Sequence, residues 1–479
     1  MLFRSNRAGA LFDVRTTTGL NYASSPGSRF DNAGTFRKSV AGTTTVFPGL
    51  VFNNSGAVEI QAGTLTLFGG GTHTGTFNVP SGTTLSLAGG THTASVGSSI
   101  AGAGNLNVSG GNNHTFAGMV NVTGTNQFDN GTANVTGSYV CTNNTLVMSG
   151  GTANFNGTGT LTPAVVNMDS GTLGGGQDVT VLNQMNWTGG TMTGSGRTFI
   201  PAGVTLNIAA VSATVSLTGG RTLENGGTIL WTAGNFPMSS AVITNRAGAL
   251  FEARNAVGIN YLSSPGSRFD NAGTFRKSVN TGTTTIGGGL VFNNYNTVDI
   301  QAGILVANGG YVSTASSRLQ CALGGTTVGT GYGRLQVSGT VTLNGVLGVS
   351  FLPGFTPATN DTFTVLTAST RSGVFTSFSY PANVVTMQMS NTPNSVVLRV
   401  TDILPISRPF LLTPELIGTN ARLTWTAISN VSYRLEFNPD LSLSNWTALP
   451  GDVTTASNTA SKLDALTSSN RFYRVRVLP

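Results

Sequence analysis

The chain has 479 residues, of which 65 are glycine, while only 9% are charged and 39% are hydrophobic. Apolar content at that level excludes a disordered polyelectrolyte, and glycine without a three-residue period excludes collagen. The formal charge of +7 is spread thinly, with no basic run longer than Arg37-Lys38 and its twin Arg276-Lys277, so no nucleic-acid partner is expected.

The chain opens Met1-Leu2-Phe3-Arg4 with no apolar export segment behind it, and no stretch approaches the ~20 apolar residues of a membrane span. Its first residues fall directly inside a repeat, so an N-terminally truncated fragment is expected. The repeat is then the main signal. Leu65-Thr-Leu-Phe-Gly-Gly70, Leu85-Ser-Leu-Ala-Gly-Gly90, Leu106-Asn-Val-Ser-Gly-Gly111 and Leu146-Val-Met-Ser-Gly-Gly151 share one pattern. Asn126-Gln-Phe-Asp-Asn-Gly131 stands midway between the last two, and weaker copies open at Val166, Met185 and Val215. A second family of turns ends in asparagine at Asn32, Asn54, Asn130, Asn225, Asn271 and Asn294.

Short alternating strands punctuated by Gly and Asn predict an all-β chain, a long parallel β-helix with ~20 residues per rung. Gly and Asn suit corners because both tolerate positive φ. Stacked rungs bring like residues above one another, so asparagine columns are expected to hydrogen-bond along the axis. A larger duplication overlies the rungs, with segments 6–67 and 245–307 matching and residues 24–40 returning unchanged as 263–279. The offset is 239 at Asn6/Asn245 and 240 at Leu50/Leu290. Division by a ~20-residue rung gives about twelve rungs and predicts that the duplicate keeps its rotational register.

The solenoid repeats are assigned to residues 1–325. Residues 326–402, where Tyr332 to Phe351 alternates strictly, form its C-terminal end. Residues 403–410 are a linker with Pro405 and Pro409, and 411–479 a small β-sandwich. In the sandwich Leu423 and Trp425, then Tyr433, Leu435 and Phe437, then Tyr473, Val475 and Val477 share one face.

Gly331-Tyr332, Leu335-Gln-Val337, Gly354-Phe355-x-Pro357 and Asp361-x-Phe363, following those repeats, carry a resemblance. Over residues 1 to about 400 the chain resembles secreted bacterial parallel β-helix surface proteins, the autotransporter-passenger-like group. The last segment is similar to fibronectin-type-III-like modules. The resemblance implies an extracellular or cell-surface location and a structural or adhesive role.

Enzymes of pectate-lyase-like β-helices cluster carboxylates beside basic residues. The matching expectation here stacks Asp13 with Asp31 and Glu252 with Asp270, beside Arg15, Arg29 and Arg37 or their twins Arg254, Arg268 and Arg276. Surface ion pairs are the competing reading. His73, His92 and His114 follow Gly-Gly corners at steps of 19 and 22, which puts them in one column as a stacked ladder or a shared metal site. Two Thr-His-Thr rungs are too short an array for an ice-binding face. Cys141 and Cys321 are either buried small apolar residues or one long-loop bridge.

The sequence therefore predicts a non-enzymatic extracellular or cell-surface rod. It has no catalytic, cofactor-binding or metal-ligating residue and needs no cofactor. It engages glycans or surface polymers by weak multivalent contacts, and homo-assembles through the solenoid ends if at all. A polysaccharide-degrading enzyme and a self-assembling filament subunit are the alternatives.

Overall fold

The computed structural model describes residues 3–21, 27–262, 266–404, 408–467 and 470–478. Residues 24–26 and 263–265 of the duplicated segments, and Pro405 of the linker, lie outside the described residues. Among the described residues there are 54 strands and no helix, so none that could cross a membrane.

The strands stack in parallel on three faces of a solenoid. The first face begins with Phe3–Asn6, Ser28–Asn32, Leu50–Asn54 and Gly71–His73. The second begins with Leu11–Val14, Thr35–Lys38 and Ala57–Ile60, continues past Met119–Val122 through a bridge from Val120 to Tyr139, and resumes at Thr160–Leu161. The third begins with Thr43–Val46, Thr64–Leu67 and Thr84–Leu87. Four-residue strands with alternate residues buried, such as Thr35–Lys38 and Asn105–Val108, send every second side chain inward. The interior is one continuous apolar cluster that includes the fully buried Trp187 and Trp231. Phe30 and Phe52 stack at 5.6 Å with an interplanar angle of 3°, one turn above the other. Each such buried side chain contributes about 1.5–3 kcal/mol relative to exposure.

The corner signals place one column correctly. Leu65, Leu85, Leu106, Asn126, Leu146, Val166, Met185 and Leu206 pair in succession along the third face. Val215 does not belong to it; it pairs with Gly190 on the first face. The expected asparagine ladders are present. Asn6 Nδ2 donates to Asn32 Oδ1 at 2.8 Å, and Asn32 to Asn54 at 2.8 Å. The second ladder runs Asn225, Asn245, Asn271, Asn294 at 2.8, 2.7 and 2.8 Å. The other amide hydrogen goes to a main-chain carbonyl past the corner, as from Asn32 to Ala57. Asn130 joins neither ladder; it is exposed at the end of a third-face strand and accepts from Gly131 N.

The duplicate does not keep its rotational register. Eleven successive pairings lead up the first face from Phe3–Asn6 to Phe236–Ser239. Val242–Asn245, the twin of Phe3–Asn6, is the next strand in the chain and pairs on the second face instead. The offset is eleven turns plus one face. Turns of 20 or 21 residues hold between Leu65 and Val166, but the duplicated segments wind more loosely, with 26 residues from Asn6 to Asn32 and 22 from Asn32 to Asn54.

At the far end Ser395–Ile403 pairs antiparallel with Thr362–Gly373 and with Val385–Asn391, so the last rung does not end in a bare parallel edge. Tyr332, Phe355 and Phe363 pack edge to face there, and Tyr332 Oη accepts from Thr364 N. Beyond it lie two small antiparallel sheets. Asn420–Thr426 pairs with Glu415–Ile417 and Thr459–Ala465, and Ser432–Asn438 with Phe472–Val477 and two short strands. Leu423, Trp425, Tyr433 and Leu435 are buried between them, while Tyr473, Val475 and Val477 are only partly covered.

Candidate functional site

Six charged pairs line the duplicated segments. Within single strands, at i and i+2 on the outward side, Arg29 Nε meets Asp31 at 2.7 Å and Arg268 meets Asp270 at 2.7 Å. Just past a strand end, Arg15 meets Asp13 and Arg254 meets Glu252, both at 2.8 Å. Between turns Arg37 reaches Glu59 at 2.9 Å, and Arg276 reaches Asp299 at 3.0 Å. The expected carboxylate stacks are not formed. Asp13 lies on the second face beside Arg37, whereas Asp31 lies on the first beside Asn53. Glu252 lies on the third beside Arg276, and Asp270 on the second beside Asn293. The 18-residue separation fails because it is shorter than a turn here and crosses to another face.

The electrostatics favour the ionised form of Asp13 and Glu252. Hydrogen bonds from Arg15 and then Ser39 hold the Asp13 carboxyl below the usual range. Burial pushes Glu252 up, but Arg254 and Ser278 outweigh it and lower it. A general acid needs the opposite shift. The geometry makes flat, neutralised arginine–carboxylate rows.

A larger network escaped sequence reasoning. Asp178 and Glu224 flank Arg197 at 3.1 and 2.9 Å, and Arg246 pairs with Glu224 from the next turn. The guanidinium carbons of Arg197 and Arg246 lie 5.3 and 4.7 Å from the Phe199 ring centre. Steps of 19 and 27 between Asp178, Arg197 and Glu224 were its only signal.

The histidines are buried on the first face, pointing into the core. Thr93 pairs with Thr115, which sets His92 beside His114 with rings 5.5 Å apart and 18° from parallel. His73 is two residues out of register, because His92 pairs with Gly71, yet its ring stacks on His92 at 5.3 Å. His92 Nε2 faces Leu67 O at 3.2 Å and His114 Nε2 faces Ser109 O at 3.3 Å. Those contacts require Nε2–H on both, so His92 Nδ1 accepts from His73 Nε2 at 3.0 Å. Burial pushes His73 down to about 3 and His92 to about 4, each depressed further by its neighbour, and lowers His114 as well. The column is a stack of neutral imidazoles. No group of three His, Cys, Asp or Glu that could hold a metal occurs among the described residues.

Two further buried groups come from the duplication. Lys38 Nζ donates to Val40 O and Ala62 O at 2.5 and 2.7 Å, and Lys277 to Asn255 O and Asn280 O at 3.1 and 2.9 Å. Burial lowers Lys277 to about 8. Cys141 and Cys321 are free and buried, which removes the bridge between them.

A cleft of about 580 Å³ lies where the solenoid end meets the C-terminal sheets. Phe351 and Tyr380 line it with Asn383 and Asn430, and Tyr380 is braced by Phe378 at 4.7 Å between ring centres. An aromatic face beside amides suits a polyhydroxylated ligand. Segments so distant in sequence gave no signal of it.

No family model matches the chain, and no curated protein matches it.

Proposed function

We propose that this chain is a non-enzymatic bacterial rod, extracellular or at the cell surface, that holds glycans or surface polymers by many weak contacts. The antiparallel C-terminal part then acts as a fibronectin-type-III-like attachment module. The observation that supports this is the outward side of the third face. Thr64, Thr84, Asn105, Thr125 and Thr145 occupy one half-buried column on five successive turns. In the column beside it Asn186 donates to Asn167 at 2.9 Å and Asn207 to Asn186 at 3.1 Å. Such a row offers donors and acceptors at the ~4.8 Å strand spacing, without charge, over many turns. Each contact is weak, and repetition supplies avidity.

The test incubates the purified chain with acidic and neutral polysaccharides, with and without Ca²⁺, recording retained protein and released sugar ends. Retention without new ends supports the reading. New reducing or unsaturated ends would make the chain a polysaccharide-degrading enzyme, and failure to bind any member of the panel removes the adhesive role.

A further inference from the structure

One open edge of the C-terminal sheets is Phe472–Val477. Phe472–Val477 pairs with Ser432–Asn438 along one side, and no other strand pairs with it among the described residues. Its inward side chains Tyr473, Val475 and Val477 are only partly covered, although they face the buried Trp425 and Leu435 cluster. Across from this edge, Leu411 bridges to Trp425 in the other sheet. Two adjoining hollows of about 550 and 500 Å³, sharing Leu411 and Tyr473, run between the two edges. Phe410, Leu412 and Phe472 are 69%, 39% and 41% exposed at the rim.

We infer that this groove receives an extended acidic peptide segment of a partner protein, added as a strand along Phe472–Val477. A strand there would give the open backbone edge its missing hydrogen-bond partners. Period-two alternation would send every second side chain in against Leu411, Tyr473 and Val475, and the others out beside Arg474 and Arg476. The charge of the partner follows from those arginines. Arg474 is engaged by Glu436 and lies over the Trp446 ring. Arg476 is exposed, stands opposite Arg434, and has no carboxylate within ion-pair distance among the described residues; the exposed Arg408 at the groove mouth has none either. Two unneutralised guanidiniums beside an apolar slot favour alternating apolar and acidic residues over a neutral or basic strand.

The experiment uses the full chain and two labelled eight-residue peptides, one alternating valine with glutamate and one alternating valine with lysine, followed by fluorescence anisotropy. The glutamate peptide is expected to bind and to slow hydrogen exchange at the amides of Phe472–Val477. The Arg408→Glu and Arg476→Glu variants, exposed and outside the core, should each weaken it by about fivefold or more. Equal binding of both peptides, no binding, or unchanged binding by both variants would overturn the inference. So would concentration-dependent dimerisation that protects the same amides without peptide, since the occupant would then be a second copy.

Discussion

His73 Nε2 lies 3.0 Å from His92 Nδ1, in a pair of stacked rings that the core encloses completely. One proton lies between them, and neither ring has a carboxylate to support a second. Both are therefore neutral in the folded chain, with pKa values depressed to about 3 and 4.

Acid should accordingly destabilise the solenoid well above the carboxylate range. The unfolded chain takes up protons at histidine near pH 6.5, while the folded chain resists until about pH 4, so stability is full above 6.5 and falls as pH drops through that window. Between pH 6.5 and 5 the loss is up to about 2 kcal/mol for each of these two imidazoles. Denaturant titrations at pH 7 and pH 5 check this. A His73→Leu/His92→Leu double variant should lose most of the difference, and an unchanged pH slope in that variant would assign it elsewhere.

The asparagine ladders should be worth more than their exposed counterparts. Asn32→Ala removes donors to Asn54 and Ala57 and leaves Asn6 without its acceptor, all inside the core. The expected cost is about 1–3 kcal/mol. Asn130→Ala, outside the ladders and exposed, should change stability by no more than about 0.5 kcal/mol. Equilibrium unfolding of the two variants side by side gives the comparison.

Corner glycines separate into two kinds. Gly90 has φ +59°, and a Cβ there would lie 2.3 Å from Gly70 N on the turn below. Gly90→Ala combines backbone strain with overpacking and should cost about 3 kcal/mol or more. Gly82 has φ +78° but open space around it, so Gly82→Ala should cost only the ~1–2 kcal/mol of a left-handed alanine. Thermal melts of both variants distinguish them.

The paired carboxylates should be dispensable. Asp270→Asn breaks one half-exposed contact with Arg268 and should cost no more than about 1 kcal/mol. Polysaccharide retention should match that of the parent chain for Asp270→Asn and for Asp31→Asn. A loss of retention or of turnover in either would place the working site on these rows.

Periodicity made much of the coil legible. The column from Leu65 to Met185 could be read because a short buried strand and a Gly-rich corner repeat together, whereas Leu206, which continues it without a glycine corner, was not. Val215 misled because its corner, Gly219-Gly220, has the same composition whichever face it ends. His73 and His92 were assigned one register, but a 19-residue step displaced them by two positions, which ring size then bridged. The Arg29–Asp31 and Arg268–Asp270 pairs are local, since i and i+2 share a side of a strand, whereas Arg37–Glu59 and Arg276–Asp299 depend on how turns stack. The cleft at Tyr380 and Asn430 depends on how the coil end meets the last sheets, and no spacing along the chain encodes that.

The one-face offset gives the duplication a direction. Arg29, Asp31 and Asn53 form an outward patch in which Asn53 donates to Asp31 at 2.8 Å, and Arg268, Asp270 and Asn293 repeat it, also at 2.8 Å. Eleven turns separate them by about 50 Å along the axis, at the ~4.8 Å strand spacing. Because they look out from neighbouring sides of the prism, a single planar sheet of ligand can lie against only one. The duplication has therefore copied the patch in composition but turned it to another bearing, so the two copies never share a common front.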